Sequence, residues 1–181
     1  MFMLKDVRLS YPALFKPSAF GDADPKYSAT FLIEEGSEQH EAIKAEIAKV
    51  AKGEFGDNYE AILKKQDSGQ RRLLKVGNDK LNDDGDVADG YADQVFIKAS
   101  NKAKPKVVGR GRQDLTEADG IPYGGCYVNA QLEIWPQNNK FGKFINIKLL
   151  AVQHWKDGDA FGSSSIANVD AFEKADDEGE W

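Results

Sequence analysis

The feature that most constrains the fold is a pair of long alternating runs, Cys126–Trp135 and Lys143–Trp155, joined by PQNNKFG. In the first, Cys126, Val128, Ala130, Leu132 and Ile134 alternate with Tyr127, Asn129, Gln131, Glu133 and Trp135. A period of two is the pleat of a β-strand, which sends successive side chains to opposite faces. One face is therefore apolar, and the other is polar with an aromatic at each end. The second run begins likewise, with Ile145, Ile147 and Leu149 set against Phe144, Asn146 and Lys148. Past Leu149 the pattern blurs into LLAV, which predicts burial on both faces or a bulge. Pro, two Asn and a Gly make PQNNKFG a turn-rich connection.

The second face carries the functional signal. Tyr127, Trp135 and Phe144 share it with Asn, Gln and Lys, and no acid occurs from Ile134 to Lys156, whereas Lys140, Lys143, Lys148 and Lys156 do. Rings beside cations on an open sheet suit stacked bases and backbone phosphates. The same rings would equally cover a core beneath a loop or helix, so the face alone leaves both readings open.

A second basic stretch narrows the choice. Gln94–Ala99 reads as a strand with Val95, Ile97 and Ala99 inward and Phe96 and Lys98 outward. Lys98, Lys102, Lys104, Lys106, Arg110 and Arg112 then occur with no acid between Gln94 and Gln113. Runs of exposed lysine are often only solvated, but this one adjoins Phe96, two arginines and two glycines, Gly109 and Gly111, that permit close backbone approach. Lys106–Gly109 fits a short strand. Neither a GxGxxG nor a P-loop pattern is present.

Taken as a sum, the net charge opposes a nucleic-acid partner: the 181 residues total −6. Lys156–Trp181, however, holds eight acids and two lysines, which is itself −6 and leaves the preceding residues neutral. The length suits one well-buried core rather than two domains. No apolar run approaches the roughly 18 residues of a membrane span. The start, MFMLKDVRLSYP, lacks the basic and apolar segments of a secretory signal. The single cysteine, Cys126, falls on the apolar side of its strand, predicting a buried thiol and a reducing cytoplasm.

Elsewhere, Lys5–Tyr11 alternates as a strand that Pro12 is expected to end, and Ala13–Lys26, with Phe15 and Phe20, reads as a loop. Tyr27–Ile33 is a second strand. Ser37 offers an N-cap to a helix whose Ile43, Ile47, Val50 and Ala51 follow helical spacing, and a shorter helix is expected over Asp57–Lys65. Asp67–Asp93 carries a basic piece, RRLLK, and an acidic one, NDDGDVADG, of which the acidic piece is expected to be a solvated loop. The acidic piece fails a calcium register: Gly85 as the central glycine puts Lys80 at position one, and Gly90 puts Gly85 there. His40 and His154 stand in no metal-spaced cluster with Cys126, and no short motif pairs a nucleophile with a base. No enzyme, metal or cofactor is expected.

Gly158–Ser165 is flexible in composition, and Glu173–Glu180 is acidic with Trp181 at the end. An acidic segment of this kind cannot fold alone. The terminal aromatic marks Asp176, Asp177, Glu178, Glu180 and Trp181 as a short partner-binding peptide.

The block PYGGCYVNAQLEIWPQNNKFGKFIN, followed by LLAVQ and GDAF, resembles a phage single-stranded-DNA-binding protein family of the Enterobacter-phage type. RLSYPALFKP and KYSATFLI extend the resemblance, which covers about Tyr11 to Phe161 in the family's order. It implies an oligonucleotide-binding (OB) fold decorated with helices, non-specific capture of single strands, and service in phage replication or recombination. The family's basic and aromatic face would correspond to Phe96, Lys98, Lys106, Arg110, Arg112, Tyr127, Trp135, Phe144 and Lys148. The acidic, aromatic-ended tail looks like those of phage replication single-strand binders.

The expectation is a mostly β chain with inserted helices: an OB-like five-stranded barrel over residues 1–165, a helical insertion near 37–65, and a disordered acidic tail over 166–181. Single-stranded DNA is the expected ligand, in the cytoplasm of a bacterial host, with no membrane association. Lys102 and Lys140 join the nine family-implied positions as candidate contacts. Replication or recombination proteins are candidate tail partners, and a homodimer is possible. The rival is a non-catalytic interaction or virion structural module using the same aromatic face. RNA binding and strand annealing also stay open, because stacking and phosphate contact do not distinguish DNA from RNA.

Overall fold

A computed structural model describes residues 1–19 and 21–162; Phe20, the tail residues Asp176, Asp177, Glu178, Glu180 and Trp181, and the rest of residues 163–181 lie outside it. The alternating runs form a long antiparallel hairpin, β6 (Tyr127–Asn139) and β7 (Gly142–Lys156). Val128, Ala130 and Leu132 of β6 and Ile145, Ile147 and Leu149 of β7 are buried, as their period of two requires. The connection is tighter than PQNNKFG implies: pairing continues to Asn139 opposite Gly142, leaving Lys140 and Phe141 as the turn. Pro136 is accommodated past Leu132, the last β6 residue to pair with the N-terminal strand, where β6 has an edge. The blurred stretch after Leu149 is a bulge. Gln131 faces Ala151 while Leu132 faces Leu149, so Leu150 is the extra residue.

Strand β1 spans Phe2–Ser18, well past Pro12. Its first half pairs with β6 and its second with β2 (Lys26–Glu34), so one strand serves both sides of a corner. The corner is made by two register shifts, between Leu4 and Val7 and between Ser10 and Ala13. Asp6 and Tyr11 adopt positive φ there, 52° and 45°. Pro12 is tolerated because it falls in the second shift, where no ladder bond is lost. The same shift brings Ser10 inward and turns Tyr11 outward, against the simple alternation.

Strand β4 (Gln94–Asn101) pairs with β2 on one side and with the two-residue β3 (Lys75–Val76) on the other. Closure comes from a parallel bridge, Ser100 to Lys148, which joins β4 to β7. The barrel order is thus β4-β2-β1-β6-β7 and back to β4, with β5 (Lys106–Val108) extending β7 in parallel. This is a closed five-stranded OB-like barrel.

Helix α1 (Glu38–Phe55) starts where Ser37 accepts the His40 N–H, and stops at Gly56, whose φ of 59° suits glycine. Ile43, Ile47, Ala51 and Phe55 bury one stripe against the barrel. Helix α2 (Tyr59–Asp67) follows. Within 67–93, Gly77 approaches the Tyr91 carbonyl so closely that a Cβ would lie 1.9 Å from its oxygen. That packing fixes Gly77 and Tyr91 beside one end of β4, while the acidic piece between them, 82–90, is the mostly exposed loop that its composition predicts.

Candidate nucleic-acid interface

Two adjoining grooves run across the outer barrel surface, and Lys75 and Lys98 line both. The first, about 590 Å³, crosses β4, β7 and β6, with Trp135, Lys102 and Lys148 in its walls. The second, about 760 Å³, crosses β1, β2 and β4, with Tyr11, Phe15 and Phe96. Register explains the grouping: Thr30 lies opposite Lys98 and Ser28 opposite Ser100, all outward positions on adjacent strands.

The rings differ in how they are held. Tyr91 meets Phe96 edge-on at 5.1 Å between centroids, and its hydroxyl donates to Ser10 Oγ at 2.7 Å in a buried bond. Burial pushes the Tyr91 phenol upward, against the Ser10 hydrogen bond that lowers it, so it stays a neutral support. Trp135 is 36% exposed and Tyr11 65%. Phe144 is covered by Arg71, whose guanidinium carbon lies 3.8 Å from the ring centroid. Arg71 also donates to Asn146 Oδ1 at 2.7 Å.

The cations are loosely engaged. Lys102 pairs with Asp24 at 3.3 Å and Lys148 with Glu133 at 3.3 Å, all four side chains substantially exposed. Such pairs contribute about 0–1 kcal/mol, little to set against a phosphate contact. Lys98 has no ion-pair partner among the described residues.

The eleven candidate contacts do not converge. Phe96, Lys98, Lys102, Trp135 and Lys148 line the two grooves. Phe144 stands just beyond, behind Arg71, and Lys140 is at the hairpin tip, 5.1 Å from the Phe141 ring centroid. Lys106, Arg110 and Arg112 sit on and after β5, alongside the far half of β7. There Lys106 pairs with Asp114 at 3.1 Å and Arg110 covers Trp155 at 4.5 Å. Tyr127 stands at the opposite end of β6 from Trp135, flanked by Lys156 at 4.6 Å and Arg8 at 5.9 Å.

Tyr127 is half-covered by the segment after β7, which sequence composition marks as flexible. Arg8 donates to the carbonyls of Gly125 and Asp159, at 3.0 and 2.8 Å, and stacks on Phe161 at 4.3 Å. Gly125, at φ 109°, leaves no room for a Cβ, which would lie 2.1 Å from the Asp159 oxygen. GDAF is therefore docked by shape.

Sequence reasoning missed Tyr11, Lys26, Arg71, Arg72, Lys75 and Lys80 as groove residues. The basic piece at 71–75 was the available signal, and nothing local said which strands it would meet. Among the described residues, no group of three His, Cys, Asp or Glu could hold a metal ion. No helix among them is long and apolar enough to cross a membrane.

Residues 1–181 match the family described as Enterobacter phage Enc34, ssDNA-binding protein. Protein p50 of Acyrthosiphon pisum secondary endosymbiont phage 1 is 38% identical over 177 residues, covering 94% of this chain and 91% of that one. The structure of the single-stranded DNA-binding protein from bacteriophage Enc34 in complex with ssDNA is similar, with a TM-score of 0.64, 31% identity and 88% of each chain covered. The bacteriophage T7 single-stranded DNA-binding protein gp2.5 shares the fold, with a TM-score of 0.53, 14% identity, and 92% and 97% covered.

Proposed function

This chain belongs to the Enterobacter phage Enc34 ssDNA-binding protein family, and from that premise we propose that it coats single-stranded DNA without reading its sequence, during phage replication or recombination in the host cytoplasm. The observation that carries this reading is the pair of grooves joined through Lys75 and Lys98, one with Trp135 on its wall and the other with Tyr11, Phe15 and Phe96. Bases stack on Trp135, Phe96 and Tyr11, because every base offers a π-face whatever its identity. Phosphates exchange places with the weakly held carboxylates on Lys102 and Lys148, joined by Lys98.

No step of this activity is catalytic. The barrel and its helical cover, residues 1–165, form the binding domain, and residues 166–181 act as a separate acidic peptide. When DNA is absent the tail competes for the cationic grooves, and DNA frees Asp176, Asp177, Glu178, Glu180 and Trp181 to recruit replication or recombination proteins.

The test is fluorescence anisotropy with labelled oligo-dT of about 30 nucleotides, longer than the roughly 4–16 that one OB fold covers, at several salt concentrations with duplex and RNA competitors. Preference for single-stranded DNA, weakening steeply with salt, is expected. No binding at low salt, with or without the tail, would overturn the reading in favour of an interaction module.

A further inference from the structure

A third concavity, about 460 Å³, lies beyond the two grooves, between α2 and the tip of the β6–β7 hairpin. Its walls include Lys65 of α2, Arg71, Phe141, Lys143 and Phe144. It is continuous with the Trp135 groove, since Gln66, Gln70 and Arg71 line both. Phe141 is 73% exposed at the turn, although Asn139 Oδ1 fixes the turn by accepting the Phe141 N–H at 2.9 Å. An isolated exposed ring needs no explanation. This one overlooks a hollow with three cations and, among the described residues that line it, no carboxylate.

We propose that this hollow takes the continuation of the single strand lying in the central grooves, so that the binding track extends past Arg71 to the hairpin tip. The inference rests on the reading of those grooves as a single-stranded-DNA site. Phe141 supplies the stacking face: Arg71 covers the Phe144 ring closely, whereas Lys140 stands 5.1 Å off the Phe141 centroid and leaves that ring largely exposed. Lys143 and Lys65 meet phosphates on either side. Arg71, held by Asn146, is the fixed wall the strand turns past. An acidic or apolar protein segment is disfavoured by continuity: the hollow shares three lining residues with the central groove, and an extended polyanion already there would exit along it.

The test compares the full chain with F141A/K143A, which changes two exposed side chains lining only the third hollow. Binding is measured to oligo-dT of about 6 and about 30 nucleotides, short and long against the roughly 4–16 covered by an OB fold. The expected result is about tenfold weaker binding of the long oligonucleotide, the scale of one lost stacking contact, with the short one unchanged. The occluded site size on long poly-dT should shrink in parallel. Unchanged affinity for both lengths would overturn the proposal, and so would equal losses on both. Failure of the wild-type chain to bind either length would instead remove the reading of the central grooves on which the proposal rests.

Discussion

The side-chain amide of Gln66 pairs with both main-chain groups of Ile145, accepting the N–H at 2.9 Å and donating to the carbonyl at 2.9 Å. It also donates to the Arg71 carbonyl at 2.9 Å, and it is only 4% exposed. One glutamine thus imitates a neighbouring strand along the free edge of β7 and ties α2 and Arg71 to the groove wall. Gln66→Ala would leave buried backbone groups unpaired, so about 1–3 kcal/mol of stability should be lost in urea denaturation. Oligonucleotide affinity should fall as well, because Arg71 loses its anchor. A stability change within error would show that the edge is satisfied without the amide.

Trp135 and Tyr127 occupy the same side of β6, yet only Trp135 lines one of the two joined grooves, and Tyr127 lines a separate hollow beside Arg8. Trp135→Ala should weaken oligo-dT binding by about 1–3 kcal/mol, the usual worth of one base stack. Tyr127→Ala, at a ring flanked by Arg8 and Lys156, should leave affinity near wild type. Anisotropy titration distinguishes the two, and a reversed order would move the binding face to the other end of the barrel.

Lys98 lines both grooves. Neutralising it should reduce the slope of log K against log salt by about 0.7, the value for one single-strand phosphate contact. Arg112→Ala, beside β5 and away from the grooves, should leave the slope unaltered.

Cys126 is fully buried, and burial pushes its thiol up from 9.0 to about 11. Between these values the unfolded chain binds fewer protons than the folded one. The stability contribution is therefore complete below pH 9.0 and is lost as pH rises toward about 11. Denaturation midpoints measured from pH 8 upward should fall more steeply for wild type than for Cys126→Ala. The folded protein should also resist alkylation at pH 8.

Removing Glu173–Trp181 takes away five acids and one lysine. If the tail competes for the grooves, truncation tightens binding of short oligonucleotides at low salt, and the gain vanishes as salt screens both partners. Equal affinity with and without these residues would eliminate tail competition.

Periodicity carried much of the architecture. Val128, Ala130 and Leu132 against Ile145, Ile147 and Leu149 read as two half-buried strands, and they are. Ser37 and the spacing of Ile43, Ile47 and Ala51 located α1 and its buried stripe. These are local signals, set by the pleat, the helical turn and a capping oxygen, so the chain states them within a few residues. Together with the length and unusual composition of PYGGCYVNAQLEIWPQNNKFGKFIN, they sufficed for fold and family.

Alternation says which side of a sheet a residue faces, but not how far round a barrel it travels. Tyr127 and Trp135 share one side of β6 at different points along it, and the closure of β4 on β7 decides that Trp135 is the ring that meets Lys98 and Lys148. The run of basic residues from Lys98 to Arg112 divides for the same reason: closure at Ser100–Lys148 sends Lys98 and Lys102 to the groove, and β5 carries Lys106 along the far half of β7. Arg71, Lys75 and Tyr11 reach the site through a buried glutamine, a two-residue strand and a bulge at Pro12, contacts made across large sequence separations. The sequence determined the strands, the helices and the chemistry of one face; tertiary closure alone decided which rings and cations share a groove, because that depends on pairing between segments far apart in the chain.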